Sequence, residues 1–144
     1  MPALALALTP TLDVQLQNHV ANPSLRLQRI TRFSTGGFRT TVVARSGGFS
    51  ADQPFFFDGS ELAQFLDQLG KLERLEAGSA RLHASEGADV IGLQLHARGD
   101  VTVFGALHEG GRVPQVLRFS FTTDQTVVGP LRRDLARCWS LPAF

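Results

Sequence analysis

Tyrosine is absent from this chain, and cysteine, methionine, tryptophan and lysine occur once each, as Cys138, Met1, Trp139 and Lys71. A single cysteine excludes an intrachain disulfide and any multi-cysteine metal centre, and it suits a reducing compartment. Arginine supplies every other basic residue, which on a solvated surface reads as compositional bias. Net charge is scarce as well: 14 basic residues against 13 acidic ones leave +1. So weak a global field draws the chain neither to nucleic acid nor to an anionic membrane, and neither is expected as a partner. No apolar run approaches the roughly 20 residues that cross a bilayer. The opening MPALALALTP lacks a basic segment, and its Ala3–Leu8 run is shorter than the about 7 to 15 residues of a signal-peptide core. A cytoplasmic protein is expected, with residues 1–10 as a ragged segment ahead of one domain over residues 11–144.

Chemical motifs are missing too. The chain has no G-x-S-x-G elbow, no H-E-x-x-H helix and no C-x-x-C pair, so nucleophilic or metal-assisted catalysis has no local signature. The reading is of a protein that is not an enzyme, with no catalytic set, no metal and no cofactor. Cys138 beside Trp139 reads as a packing residue.

Against those absences stand 144 residues, 43% hydrophobic and 19% charged, enough for one core. Leu12, Val14 and Leu16 alternate with polar neighbours, as do Leu25 and Leu27 and then Thr40, Val42 and Ala44, a strand period. Ser34-Thr35-Gly36-Gly37-Phe38 is echoed by Arg45-Ser46-Gly47-Gly48-Phe49. Without the lysine and following helix of a phosphate loop, the echo predicts two hairpin turns. Asp58 three residues before Glu61 resembles a capping box, and Leu62, Phe65, Leu66, Leu69 and Leu72 form the apolar stripe of a core helix that leaves near Gly78.

From Gly78 to Thr122 three turn signals, Glu86-Gly87, Arg98-Gly99-Asp100 and Glu109-Gly110-Gly111, separate four strands. Pairing Leu82 with Ile91, Ile91 with Leu107 and Leu107 with Leu117 puts Leu93, Val103, Phe119 and Phe121 on the same inner face. The opposite face then carries His83, Gln94, His96, Thr102, Phe104, His108, Arg118, Ser120 and Thr122. This register sets His83, Val90 and His108 side by side and flanks Phe104 with Gln94 and Ser120. The histidines lack a third ligand at metal spacing. Phe104, a large apolar group aimed away from the core, makes the face a candidate partner surface. Its members are Phe104, His83, His96, His108, Gln94, Arg118 and Ser120. The acidic outer side of the long helix, Asp67, Glu73 and Glu76, is the alternative for a basic partner.

Between the last strand and a short helix opened by Gly129-Pro130, Asp124-Gln125 reads as a turn and cap rather than a catalytic acid, since no base stands at motif spacing. That helix carries Leu131, Leu135 and Trp139 on one side.

Three segments, ELAQFLDQLGKLERLEAGSARL, VIGLQLHARGDVTVFGAL and LRFSFTTDQTVVGPLRRDL, resemble in order and spacing a family of short bacterial proteins related to the WapI-type immunity proteins. The resemblance runs from Phe55 onward. It implies an α+β domain and, for the namesake, neutralisation of a toxin delivered by a neighbouring cell. It implies no catalytic residues. Immunity proteins against basic nuclease toxins are usually acidic, and this chain is not. The expected fold is α+β, a curled antiparallel sheet of about seven or eight strands around one central helix, closed by a short C-terminal helix. The expected function is protein binding, of a toxin or a second copy. The alternative is a carrier of a small apolar ligand held between sheet and helix.

Overall fold

The alternation read from the sequence resolves, in a computed structural model describing residues 10–143, into eight strands and two helices. Of the segment expected to be ragged, residues 1–9 lie outside the described residues. The strands are β1 (Leu12–Gln15), β2 (Ser24–Arg32), β3 (Gly37–Ser46), β4 (Phe49–Asp58), β5 (Gly78–His83), β6 (Val90–Leu95), β7 (Asp100–Glu109) and β8 (Gln115–Asp124). Helix α1 (Gly59–Glu73) separates β4 from β5, and α2 (Val128–Ala136) follows β8 between two short 3-10 turns.

The α+β class holds, but the single curled sheet does not. Two four-stranded antiparallel meanders form instead, β1-β2-β3-β4 and β5-β6-β7-β8. Helix α1 leaves from the end of β4, lies against β5 and stands between the two meanders in sequence. Each half of the chain therefore has the same order, four strands and then a helix. A bond from the Ser85 N–H to the Phe56 carbonyl (2.8 Å) ties the β5–β6 loop of the second half to β4 of the first.

Aromatic residues of β3 and β4 fill the core beside the α1 stripe. Phe38, Phe55, Phe57, Phe65, Leu62 and Leu69 are all buried, each contributing about 1.5 to 3 kcal/mol through apolar area removed from water. Phe38 stacks on Phe57 at 5.2 Å between centroids, and the Trp139 edge meets Phe38 at 5.7 Å. Trp139 thus packs from the turn Arg137–Ser140, beyond the end of α2, while Leu131 and Leu135 fill the buried side of the helix itself. Arg32 holds this corner, donating to the Trp139 carbonyl at 2.7 Å.

The ends of α1 differ from expectation. Asp58 is the N-cap residue, yet its side chain accepts no helix amide; it takes the Ser85 hydroxyl at 3.1 Å, so the capping box is not formed. The helix leaves well before Gly78. The Leu75 N–H bonds the Leu72 carbonyl and the Glu76 N–H the Lys71 carbonyl, the paired bonds of a Schellman close, with Leu75 at φ 63°.

Candidate functional site

Period-two alternation divides the second sheet into an inner and an outer face. The inner one, with Leu82, Ile91, Leu93, Val103, Leu107 and Phe119, is buried. The outer face can be read in rows across the strands: Ser79, Gln94, Thr102 and Thr122; Arg81, Gly92, Phe104 and Ser120; His83, Val90, Ala106 and Arg118. These three rows hold no carboxylate, while the next row of the same parity, Asp100 and Asp124, holds two.

One pairing differs from the sequence reading. Leu82 faces Ile91 and Leu107 faces Leu117, but Ile91 faces Gly105, two residues from the expected Leu107. The β6–β7 turn decides this. His96 N–H bonds the Asp100 carbonyl and Gly99 N–H the His96 carbonyl, with Gly99 at φ 94°, so the hairpin closes tightly. A slip of two residues preserves which side chains point out but changes their neighbours. Phe104 lies between Gly92 and Ser120, not Gln94, and Val90 lies between His83 and Ala106, not His108.

The pairing of Phe104 with Gly92 explains how a large ring sits on this face. A Cβ built on Gly92 would stand 2.6 Å from Phe104 Cζ and 2.6 Å from the Ala80 carbonyl oxygen. Only a glycine leaves room for the ring to lie across β6. Arg81 then places its guanidinium 5.2 Å from the ring centroid, a cation over an aromatic face worth about 0.5 to 1 kcal/mol at an exposed site. Phe104 is half-buried, whereas Arg81, His83, Gln94, Arg118 and Ser120 are exposed.

The histidines do not converge. His96 pairs through Nε2 with the Thr102 hydroxyl at 2.8 Å. His108 holds Asp89: its Nδ1 lies 2.6 Å and its N–H 2.9 Å from Asp89 Oδ1, pinning the β5–β6 loop. Among the described residues no group of three or more His, Cys, Asp or Glu is placed to hold a metal. Arg81 and Asp89 were missed in the sequence. Outward parity from Leu82 marked the first; the second sits in a loop, where no period applies.

The acidic side of α1 is internally matched. Asp67 lies 3.8 Å from Lys71, Glu76 3.9 Å from Arg74, and Glu73 2.5 Å from Arg132 of α2. Asp124 caps the 3-10 turn, accepting the Thr126 N–H at 2.9 Å and the Thr126 hydroxyl. Those two bonds hold its carboxyl below the ordinary 3.8. Burial pushes the Cys138 thiol up to about 12, so it stays protonated and inert. A groove of about 380 Å³, lined by Phe33, Phe38, Phe55, Phe56 and Phe57 together with Pro54 and Ala84, opens between β4 and the β5–β6 loop, not between sheet and helix. Phe38, Phe55 and Phe57 belong to this lining and to the core alike.

Comparison with known proteins follows the fold. Two solved structures match at TM-score 0.52: trypanosomal MRP1/MRP2, at 12% identity over 96% of this chain and 88% of that one, and a guide-RNA-binding protein complex bound to its RNA, at 14% identity over 96% and 94%. At such identities the likeness is one of fold. No curated protein matches. The match to a family of sequences reaches back to β2, well before Phe55, and covers residues 24–140: the chain belongs to the Immunity protein WapI-like family.

Proposed function

We propose that this chain is an immunity protein that binds a protein toxin through the outer face of its second sheet, with Phe104 as the anchor. The observation that carries the reading is the arrangement around that ring. A half-buried aromatic is held flat over Gly92 by Arg81, amid small residues and with Arg118 beside it. Rigid aromatics with arginine neighbours dominate the energetics of protein interfaces, because they bury much area with little side-chain entropy to lose. The free cations favour a partner with an acidic contact region over a basic nuclease. Internal ion pairs on α1 weaken the case for its acidic side.

The test is protection. Cells producing the toxin domain encoded beside this gene are expected to survive when the chain is co-produced. Phe104→Asp is expected to stay folded by circular dichroism while binding falls by about 2 kcal/mol or more, the loss typical of a central interface residue. Full protection by Phe104→Asp would move the interface elsewhere, and failure of the parent chain to bind that toxin would remove the immunity reading.

A second reading rests on one of the solved neighbours, described as a guide-RNA-binding protein complex. Two arginines beside an aromatic on an open sheet also suit single-strand stacking. The net charge of +1 weighs against it. Titration with a single-stranded RNA oligonucleotide at two salt concentrations separates the two, since phosphate contacts impose a steep salt dependence.

A further inference from the structure

Two meanders have four edges between them: β1, β4, β5 and β8. Unpaired N–H and C=O groups along an edge recruit further strands unless something blocks them. Three of the four edges are blocked. β1 is four residues long, and α2 packs against it. β4 carries Pro54, and its Phe56 carbonyl is taken by Ser85. β5 is flanked by α1, whose Gln68 Oε1 accepts the Arg81 N–H at 2.8 Å.

β8 carries neither proline nor a helix, and β3 approaches it without a hydrogen bond to its edge. Its ten residues run in unbroken register with β7, with neither proline nor lysine among them. Among the described residues no hydrogen bond from outside the sheet reaches residues 115–123. On its inner face Leu117 and Phe121 are only half-buried, while Val103 and Leu107 on β7 are fully covered. The core is left open along this strand.

We propose that β8 pairs antiparallel with β8 of a second copy of this chain, about a two-fold axis that sets Phe121 opposite its own copy. The occupant follows from self-complementarity. Facing residues must share a side of the sheet, so the strand can shift against its copy only in steps that preserve parity. With Phe121 on the axis, Arg118 faces Asp124 of the second copy, and the match occurs twice. Phe119 then faces Thr123, Ser120 faces Thr122, and the two Phe121 rings meet on the inner side, covering the open core. With Ser120 on the axis instead, Arg118 faces Thr122 and Val116 faces Asp124, so the charges go unmatched. Aromatic and opposite-charge pairs across strands each favour pairing. Among the described residues the guanidinium of Arg118 has no hydrogen-bond or ion-pair partner. The result is a continuous eight-stranded sheet that carries two Phe104 surfaces side by side. This goes beyond the immunity reading and does not depend on it.

Sedimentation equilibrium of the full chain is expected to give twice 15.6 kDa at high micromolar concentration. Hydrogen exchange is expected to show β8 amides gaining protection as concentration rises. Arg118→Asp sets like charges opposite each other at two positions at once, and is expected to weaken the dimer about tenfold or more. Thr122→Lys, at an exposed edge site, is a second disrupting variant. A chain that stays monomeric at high micromolar concentration would overturn the proposal, as would a dimer whose β8 amides exchange as fast as the monomer's. So would a dimer indifferent to both folded variants.

Discussion

Leu75 closes α1 in a conformation that costs a side chain with a Cβ about 1 to 2 kcal/mol, at φ 63° and 61% exposed. Its side chain contributes little packing in return. Leu75→Gly is therefore expected to stabilise the protein by about 1 kcal/mol once the extra freedom of an unfolded glycine is subtracted, read as a higher urea midpoint with unchanged slope. Asp124 is the opposite case, a residue suited to its place. Its carboxylate accepts two bonds from Thr126, and its folded pKa lies below 3.8. The stabilisation is present above the unfolded value and lost as pH falls through the folded one. Asp124→Ala is expected to melt lower than the parent at pH 7, and the gap is expected to close as pH falls below the ordinary 3.8 and the parent's carboxylate is protonated. Equal melting temperatures at pH 7 would contradict the capping role. Both residues show how differently local chemistry is written in sequence. An Asp-x-Thr turn announces itself, whereas a leucine in the left-handed region does not, because leucine carries no local signal for that conformation.

Between elements, the contact that sequence could not supply is Glu73 with Arg132. These residues lie far apart in the chain, yet the pair joins α1 to α2 at 2.5 Å. Both side chains are about two-fifths exposed, so the pair is worth at most about 1 kcal/mol after solvent screening. Arg132→Ala is expected to cost no more than that, and the loss is expected to shrink in high salt; a larger, salt-independent loss would mean packing rather than charge. Periodicity made the apolar stripe of α1 and the inner and outer faces of β5–β8 legible. It could not choose between pairings two residues apart, since both bury the same side chains. The choice fell to Gly99 in the turn, and with it the neighbours of Phe104 and His108.

At the scale of the molecule, sequence revealed the class and the approximate strand count but not the split into two sheets. Alternation records which side of a strand is buried, not which sheet it joins, and nothing in the α1 stripe says which strand it will cover. The proposed partner surface was legible as a face through the outward parity of Phe104 and Arg118, and its construction was not, because Gly92 carries meaning only once the ring is known to lie across it. One feature of the connectivity also governs how this chain reaches its native state. Within each sheet every strand pairs with its neighbour in sequence, so each meander closes through short loops. Either half can zip hairpin by hairpin without waiting for the other. What remains slow is the docking of two preformed layers, through Ser85 on β4 and the aromatic corner where Trp139 meets Phe38. A chain emerging from the ribosome can thus organise its first meander before the second has been synthesised, leaving the unguarded strand β8 among the last to be made and the briefest exposed before its own sheet is complete.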